Sequence, residues 1–321
     1  MLVFRELKEN LLESSCLALG VFDGVHLGHQ KVILKAVKKA QELGTTSAVV
    51  TFSKHPRHVI SKSPQNIIIS LEERLELFES LGVQAAIVLD FNENIAKMTA
   101  KEYLENVLIG CLNAKSITIG YNHRFGQQSS KHKQTDSSDE HNEQGNGKFL
   151  EEYSKIYGYE AGVISPVKID SHVVSSSAIR KFLLKGEVDL AAKFLGRSFK
   201  LKGTIIHGQH LGRTLGFPTA NLSIPDELIL PLEGVYSGLV KIDSKVYHAV
   251  INVGKRPTIG DLKKDLVEAH ILDFDEDIYG KIIDVFFLRR IRNEKKFDSL
   301  DELKIQIKKD CEFVHSAKNF G

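Results

Sequence analysis

The order of apolar runs along the chain is the feature that most restricts its fold. In the first half, short β-branched and apolar runs alternate with stretches whose apolar residues recur at the spacing of an α-helix. Strands are predicted over 16–22, 47–52, 85–89, 116–119 and 161–164, and helices over 31–43, 70–81, 103–109 and 148–157. This alternation is typical of an α/β fold, in which a parallel sheet carries helices on both faces.

After about residue 195 the pattern changes. Two short helices precede a series of strands, and no long helix is predicted before 299–309. The helices are predicted over 176–184 and 188–195, and the strands over 199–207, 235–242, 246–253, 266–272 and 282–288. Consecutive strands indicate an antiparallel sheet or a small barrel. The 321 residues are enough for two domains, and we expect them to span 1–185 and 186–321.

One segment, 127–148, interrupts the alternation. It contains no aliphatic, Phe, Tyr or Trp residue and is rich in Ser, Gln, Asp, Glu and Lys. Such a composition cannot bury enough apolar surface to offset the entropy of ordering it. We expect a mobile insertion that folding does not need. Its two histidines, His132 and His141, are interpreted as solvated loop residues, with a metal site as the less favoured alternative.

Composition restricts the class of protein. Lys and Arg number 43 and Asp and Glu 41, for a net charge of +2, so the basic excess of a nucleic-acid-binding protein is missing. Cys16, Cys111 and Cys311 lie far apart and form no CxxC pair, which indicates reduced thiols. Charges interrupt the N-terminal sequence, and the apolar runs are too short to span a membrane. We therefore expect a cytoplasmic protein that does not bind membranes or nucleic acid.

The sequence GVFDGVHLGHQ, over 20–30, stands where a predicted strand ends and a helix begins. In open α/β sheets this position borders the ligand crevice. A helix N-terminus there offers free N–H groups to phosphate, and glycines let the backbone approach closely. His26 and His29 share one helix face and could stabilise charge on the α-phosphate of a nucleotide. The alternative is a strand–turn–helix junction with incidental histidines. A P-loop is excluded, because the chain contains no GxxxxGK[ST].

This stretch resembles the adenylyltransferase module of prokaryotic bifunctional riboflavin kinase/FAD synthetases. HxGH is shared by a wider nucleotidyltransferase superfamily, but FDGVHxGHQ is selective for the flavin branch. TFSKHP at 51–56, GYNHRFG at 120–126 and SSSAIR at 175–180 agree with it in order. The resemblance implies a Rossmann-like nucleotidyltransferase fold, with His26 and His29 catalytic. It also implies ATP or phosphate binding by Gly20, Phe22, Asp23, Gly24, Gly28, Asn122, Ser176, Ser177 and Arg180.

The chain departs from the family pattern at several positions. Lys54 stands where the family usually has proline, and Asn122 and His123 replace a more common acidic and aromatic pair. The insertion over 127–148 directly follows the GYNHRFG motif, which contains Asn122 and His123. These departures concern local contacts to ATP or FMN and leave His26 and His29 in place.

A second motif, GQHLGRTLGFPTAN, spans 208–221. Its glycine-rich loop could fold over phosphates, and Thr219 and Asn221 offer neutral oxygen ligands that suit Mg²⁺ bound together with ATP. The alternative is a Gly/Pro surface turn between strands. GRxLGFPTAN resembles the riboflavin kinase signature, and GVY at 234–236, NVGKRPT at 252–258, VEAHILDFD at 267–275 and RNEKKF at 292–297 follow it in family order.

This second resemblance implies an antiparallel β-barrel with a terminal helix. It implies that Thr219 and Asn221 bind the metal, and that ATP or flavin is bound by Gly212, Arg213, Gly216, Phe217, Pro218, Arg256, Arg292 and Phe297. Strand alternation places Glu268, His270 and Leu272 on one face. The resemblance assigns Glu268 to activating the 5′-hydroxyl of riboflavin as general base; the alternative is a solvent-facing strand glutamate.

Together the two halves predict a bifunctional enzyme. Riboflavin and ATP would give FMN and ADP, and FMN and a second ATP would give FAD and pyrophosphate, with flavin as substrate and product rather than prosthetic group. Three alternatives remain open from the sequence. They are a riboflavin kinase with a degenerate first domain, a non-catalytic flavin carrier, and an adenylyltransferase for another phosphorylated acceptor.

Overall fold

The computed structural model describes residues 1–54, 66–126, 144–208, 215–257 and 263–317, with the side chains of 256–257, 263–265 and 317 outside that description. The chain divides into two compact units, Met1–Val174 and Ser175–Gly321. Residues 175–185, which the sequence analysis places in the first domain, lie in the second of these units. Each unit is considered by itself below.

Six parallel strands form the sheet of the first unit. They are β1 (Leu2–Phe4), β2 (Ser15–Leu19), β3 (Thr46–Phe52), β4 (Ala85–Leu89), β5 (Ala114–Gly120) and β6 (Glu160–Ile164). Their order is β1-β4-β3-β2-β5-β6. The order reverses at β2, which pairs with β3 on one side and β5 on the other. The crevice beyond the carboxyl ends of β2 and β5 is therefore the expected ligand site.

The helices of the first unit cover both faces of this sheet. They are α1 (Leu27–Leu43), α2 (Leu71–Ser80), α3 (Glu93–Lys97), α4 (Ala100–Glu102), a π-helix (Tyr103–Cys111) and α5 (Gly147–Tyr157). Side chains of the π-helix and α5 share a core with alternate residues of β2, β3 and β4. Helix α1 packs on β2, β3 and β5, through side chains outside that core. A short antiparallel ribbon, β7 (Lys168–Ile169) and β8 (His172–Val173), follows β6.

Local sequence signals account for the helix starts. Ser70 caps α2 by accepting a hydrogen bond from the Glu73 N–H, and Thr99 and Glu102 form the reciprocal capping box expected from their spacing. The predicted α-helix over 103–109 is instead a π-helix. The predicted helix start at residue 31 is also corrected, because α1 begins at Leu27 with His26 as its N-cap.

A closed barrel of six antiparallel strands forms the centre of the second unit. They are β9 (Phe199–Ile206), β10 (Ala220–Ser223), β11 (Gly234–Ile242), β12 (Lys245–Pro257), β13 (Lys263–Ile271) and β14 (Ile282–Arg292), in the order β10-β13-β12-β11-β14-β9. Helices α6 (Ser176–Leu184) and α7 (Val188–Leu195) precede the barrel, and α8 (Leu300–Ala317) follows it. Cys311 and Val314 of α8 pack on Val235 and Val250.

Alternation along the strands separates the barrel interior from its outer face. Val267 and Ala269 of β13 are buried and pair with Val253 and Ile251 of β12, which are also buried. Glu268, between them, therefore points to the outer face. Within the described ranges, no helix has both the length and the apolar character that crossing a bilayer requires.

Candidate active sites

The turn between β2 and α1 has an unusual backbone. Phe22, Gly24 and Val25 have φ values of 55°, 84° and 38°, in the left-handed region that costs a non-glycine residue about 1–2 kcal/mol. The Val25 N–H donates to the Phe22 carbonyl at 3.0 Å. A turn of this kind persists only where its surroundings hold it.

Contacts from neighbouring segments keep this turn in its strained conformation. The Asp23 carboxylate accepts hydrogen bonds from the backbone N–H groups of Ile68 (2.9 Å) and Ile69 (3.4 Å). The buried Phe22 ring meets Phe78 of α2 edge-on, and a Cβ at Gly20 would lie only 2.9 Å from the Phe22 ring. Asp23, predicted to bind ATP or phosphate, therefore helps to position the turn.

His26 is buried and caps α1. Its Nδ1 accepts a hydrogen bond from the His29 backbone N–H at 3.2 Å. Since an accepting Nδ1 carries no proton, neutral His26 carries its proton on Nε2. A Cβ at Gly28 would come within 3.1 Å of the His26 ring, so glycine at this position lets the imidazole lie against the first turn of the helix.

His29 stacks on His26, with ring centroids 3.5 Å apart, and meets the edge of Phe22. The His29 Nδ1 atom is buried and has no hydrogen-bond partner among the described residues. Burial first, and then the electrostatic influence of the ionisable rings of His26 and His123 and of the Arg74 guanidinium, hold the pKa of His29 well below its ordinary range. His29 is therefore uncharged at neutral pH, as expected of a hydrogen-bond donor that does not bring a competing charge.

The turn after β5 borders the same crevice, because β5 pairs with β2. Its His123 N–H donates to the Gly120 carbonyl at 3.0 Å. Burial, with the charge of Arg124, lowers the pKa of His123 to about 4. Asn122 is exposed. Sequence reasoning singled out Asn122 as a ligand residue; it noted His123 only as a departure from the family pattern.

The structure describes only some residues of the remaining first-domain motifs. Lys54 is exposed, and His55 and Pro56 lie outside the described residues, as does most of the insertion, over 127–143, with His132 and His141. Ser175 caps α6 by accepting from the Ala178 N–H at 3.2 Å. Ser176 and Ser177 form the first turn of that helix, and Arg180 is buried.

In the second unit, a cavity of about 350 Å³ opens at one end of the barrel. Thr219 immediately precedes β10 and Asn221 lies within it, and both line the cavity. The other lining residues are Ile205, Pro218, Ala220, Ala269, Ile271, Phe274, Asp275, Glu276, Asp277, Ile278 and Tyr279. The two predicted metal ligands are thus brought together on one wall.

Glu268 of β13 lies beside that wall. It is partly buried and pairs with Asn221 of β10 on one side and Asn252 of β12 on the other. The amide of Asn252 is 3.5 Å from the Glu294 carboxylate. Three polar side chains therefore lie side by side on the outer face of three strands, and the predicted base is next to a predicted metal ligand.

His270, which sequence reasoning did not include in the site, holds the PTAN segment. Its Nδ1 donates to the Pro218 carbonyl at 2.8 Å, and its ring meets Phe217 edge-on. Burial lowers the pKa of His270. Gly216 is exposed with φ of 84°, a conformation that favours glycine.

Other predicted kinase residues are placed differently. Arg292 forks onto the buried Asp310 of α8, with three N–O distances of 2.7–3.1 Å, and its guanidinium lies 6.0 Å from the Phe297 ring centroid. These contacts link β14 to α8. Gly212, Arg213 and the side chain of Arg256 lie outside the described residues.

Comparisons with known proteins cover both units. The FAD synthetase family model matches residues 8–178, and the riboflavin kinase model matches 195–318. The bifunctional riboflavin kinase/FMN adenylyltransferase of Haemophilus influenzae is 36% identical, over 97% of this chain and 95% of that protein. The enzyme of the same name from Bacillus subtilis is 36% identical, over 92% and 90%. A crystal structure described as a macrolide-efflux protein from Streptococcus pneumoniae has a TM-score of 0.85 and 32% identity, covering 98% and 99%.

Proposed function

Because the chain belongs to the family of bifunctional riboflavin kinase/FMN adenylyltransferases, we propose that its two reactions are divided between residues 1–185 and 186–321. The enzyme phosphorylates riboflavin to FMN and adenylylates FMN to FAD. The observation that carries the division is that each unit holds its own set of reactive side chains. These are the stacked His26 and His29 at the sheet crevice, and Glu268 beside Asn221 on the barrel.

Adenylyl transfer is assigned to the histidine pair. A phosphate oxygen of FMN attacks the α-phosphorus of ATP, a new P–O bond forms, and the bond to the bridging oxygen breaks to release pyrophosphate. The Nε2–H of neutral His26 and the uncharged His29 ring donate to α-phosphate oxygens as their charge grows, and the N-terminus of α1 adds its dipole. Phe22 and the glycines Gly20, Gly24 and Gly28 shape the turn that the nucleotide approaches.

The predicted roles of Asn122, Ser176, Ser177 and Arg180 rest on the family resemblance alone. A helix N-terminus rich in hydroxyl groups, together with an arginine, suits pyrophosphate chemically.

Phosphorylation is assigned to the barrel. The Glu268 carboxylate accepts the proton of the riboflavin 5′-hydroxyl while that oxygen attacks the γ-phosphorus, and ADP leaves. The assignment is supported by the position of Glu268, which pairs across β13 and β10 with Asn221, one of the residues that line the cavity. Gly212, Arg213, Gly216, Phe217, Pro218 and Arg256 would border ATP, and Arg292 and Phe297 the flavin, as the resemblance implies.

Mg²⁺ fits the donor set of the cavity. Thr219 and Asn221 present neutral oxygen atoms on one wall, and Asn221 is only 6% exposed. Mg²⁺ prefers oxygen ligands and takes few from protein when phosphates are present. These two residues would hold the ion, which when bound offsets the charge of the ATP phosphates.

We propose that the enzyme acts in the cytoplasm on small molecules and requires neither membrane nor nucleic acid. The nearly balanced charge supports this. A riboflavin kinase with a degenerate first domain and a non-catalytic flavin carrier are not favoured, because both family models match and the relatives carry both activities in their names. Macrolide efflux belongs to the name of the pneumococcal protein and forms no part of the proposal.

A chromatographic product assay with riboflavin, ATP and Mg²⁺ tests the assignment. Wild type should form FMN and then FAD. Glu268→Ala should stop at riboflavin yet convert added FMN to FAD, and His26→Ala/His29→Ala should accumulate FMN. If the histidine variant makes FAD at the wild-type rate, the adenylyl-transfer site lies elsewhere.

ATP analogues separate the two sites without mutation. An analogue with an imido bridge between the β- and γ-phosphates can still release a pyrophosphate analogue, so it should support FAD formation from FMN and not FMN formation from riboflavin. An analogue with a methylene bridge between the α- and β-phosphates should behave in the opposite way. If both reactions required cleavage of the same phosphate bond of ATP, the proposal of one adenylyl-transfer site and one phosphoryl-transfer site would be contradicted.

A further inference from the structure

Helix α2 carries side chains that hold the turn before His26. Phe78 packs against Phe22, and Arg74 reaches the carboxyl ends of β2 and β3. Sequence reasoning gave α2 no part in either site. Arg74 is nevertheless only 4% exposed, which is unusual for an arginine unless its charge and donors are engaged.

Within the part of the chain that the structure describes, the Arg74 guanidinium donates four hydrogen bonds. One nitrogen, Nη1, donates to the Val21 carbonyl at 2.8 Å and to Thr51 Oγ1 at 3.1 Å. The other, Nη2, donates to the carbonyls of Phe52 at 3.1 Å and Ser53 at 3.5 Å. The Thr51 hydroxyl also donates to the Val21 carbonyl, at 3.0 Å. The carbonyl of Val21 is thus fixed from two directions.

Val21 is the residue before the left-handed turn. The strain at Phe22 and Val25 favours relaxation of the turn toward ordinary backbone angles. Such a relaxation would move His26, and with it the cap of α1 and the imidazole stacked on it. A planar fork with five donors suits this set of acceptors, which lie at and just beyond the carboxyl ends of β2 and β3, whereas an ammonium offers a compact point charge.

We propose that Arg74 is a positioning residue for adenylyl transfer, whose guanidinium fixes the Val21 carbonyl and so holds the strained turn that directs His26 and His29 at the α-phosphate. The inference rests on the proposed role of those two histidines.

The charge of Arg74 supports a second effect on the same site. Three positively charged or chargeable groups face His29, which are His26 from the cap of α1, His123 from the turn after β5, and Arg74 from α2. Each disfavours the protonated form of His29. Removing the Arg74 charge should therefore raise the pKa of His29, so that adenylyl transfer is lost at a higher pH on the acid side.

Two substitutions separate geometry from charge. Arg74→Lys keeps the charge and loses the fork, and Arg74→Met loses both. Both should lower kcat for FAD formation by about 10- to 100-fold, the effect of displacing catalytic groups by up to about 1 Å, with a much smaller change in KM. Only Arg74→Met should move the acid limb of the pH–rate profile upward. Glu72→Gln, at an exposed position of the same helix, is the matched control and should change neither.

Thermal unfolding of each variant reports on folding of the first unit, which contains Arg74, and riboflavin phosphorylation reports on folding of the second. We expect phosphorylation to stay within about twofold of wild type in both Arg74 variants, since Glu268 lies in the other compact unit. The inference is overturned if the variants keep the wild-type kcat for FAD formation, or if FAD formation falls only in proportion to the loss of folded first unit. His26→Ala/His29→Ala is measured alongside. If that variant keeps FAD formation, the proposed role of the histidines fails; if it loses FAD formation and the Arg74 variants do not, the positioning role alone fails.

Discussion

At the scale of the residue, His26 uses its two ring nitrogens for different purposes. Nδ1 accepts the hydrogen bond that begins α1, and this leaves Nε2 with the proton that adenylyl transfer would use. The helix start therefore sets the tautomer of the proposed catalytic group. Any change that disturbs the cap should disturb the chemistry as well.

Gly28→Ala tests this coupling. The added Cβ would meet the His26 ring at 3.1 Å, so the ring must shift, and we expect FAD formation to fall roughly tenfold. Alanine favours a helix over glycine by up to about 1 kcal/mol, so the thermal midpoint should stay the same or rise. Rates and thermal unfolding of the same preparation check both parts.

Gly158→Ala gives the opposite control. Gly158 has φ of 71° and open space around its Cα, so alanine there should lower stability without changing the rate per folded molecule. If Gly28→Ala instead lowers stability and leaves the rate unchanged, the ring of His26 is not coupled to the helix start in the way described.

His123 should make the first unit sensitive to acid. Its pKa in the folded protein is about 4, below the ordinary value of 6.5, so the unfolded chain binds the proton first as pH falls. The His123 contribution to stability is therefore intact above about pH 6.5 and is lost progressively toward pH 4. His123→Phe should flatten the fall in the thermal midpoint over this window.

His172→Asn, at an exposed position, is the control for His123→Phe and should follow wild type. His29 still contributes acid sensitivity in the His123 variant, so the curve should become flatter rather than level. An unchanged slope would mean that His123 is hydrated in solution.

At the scale of the element, a strong polar contact between Arg292 and Asp310 joins α8 to the barrel. Asp310 is buried, accepts the fork of Arg292 and also accepts from Gln306 at 3.0 Å. Asp310→Asn would leave the arginine without its countercharge. We expect the free energy of unfolding of the second unit to fall by about 3 kcal/mol, the low end of the usual range because the Arg292 side chain is 22% exposed.

Urea unfolding measures this effect, and Glu312→Gln, at an exposed position of the same helix, should change it little. If Asp310→Asn keeps the stability of wild type and instead raises the KM for riboflavin, Arg292 serves the flavin more than the helix.

Most elements of this fold follow from local pattern. The strand over 85–89 and the helices over 176–184 and 188–195 have the predicted bounds, because apolar spacing and capping groups determine them within the segment. The barrel strand β10 was not predicted. It is four residues long and follows a Gly/Pro-rich loop, and only its pairing with β9 and β13 makes it a strand.

Two further features depend on tertiary contacts. The π-helix Tyr103–Cys111 has the apolar pattern of an α-helix, so the sequence does not separate the two. Arg74 lies in a helix whose charged residues are expected at the surface. Its burial depends on the carbonyl groups of Val21, just after β2, and Phe52, at the end of β3, which are distant from it in sequence. The catalytic candidates were predictable because their motifs are local; the residues that position them were not.

At the scale of the whole molecule, α6 distinguishes a functional from a structural division of the chain. It begins with the SSSAIR motif assigned to adenylyl transfer, yet it belongs to the second compact unit. Leu183 of α6 is fully buried, its carbonyl accepts from the Leu232 N–H at 2.9 Å, and Phe182 meets Phe194 edge-on.

Fragments that begin at different residues test this division. A fragment over 175–321 should phosphorylate riboflavin and be more stable than one over 186–321, because the shorter one lacks the α6 contacts. Thermal unfolding and FMN formation measure both. Equal stability of the two would mean that α6 contributes little to the second unit, in which case 1–185 is also the better structural boundary.

Strand β10, which closes the barrel, also carries Asn221, one of the two proposed metal ligands. β10 joins each of its neighbours through three residue pairs, whereas β11 and β12 share nine. The barrel therefore has a seam, and local opening should occur there before the remaining strands separate. A ligand that binds at Thr219 and Asn221 stabilises the closed seam by mass action. Nucleotide binding should consequently slow amide hydrogen exchange in β9, β10 and β13. The substrate would then contribute to the stability of the closed barrel.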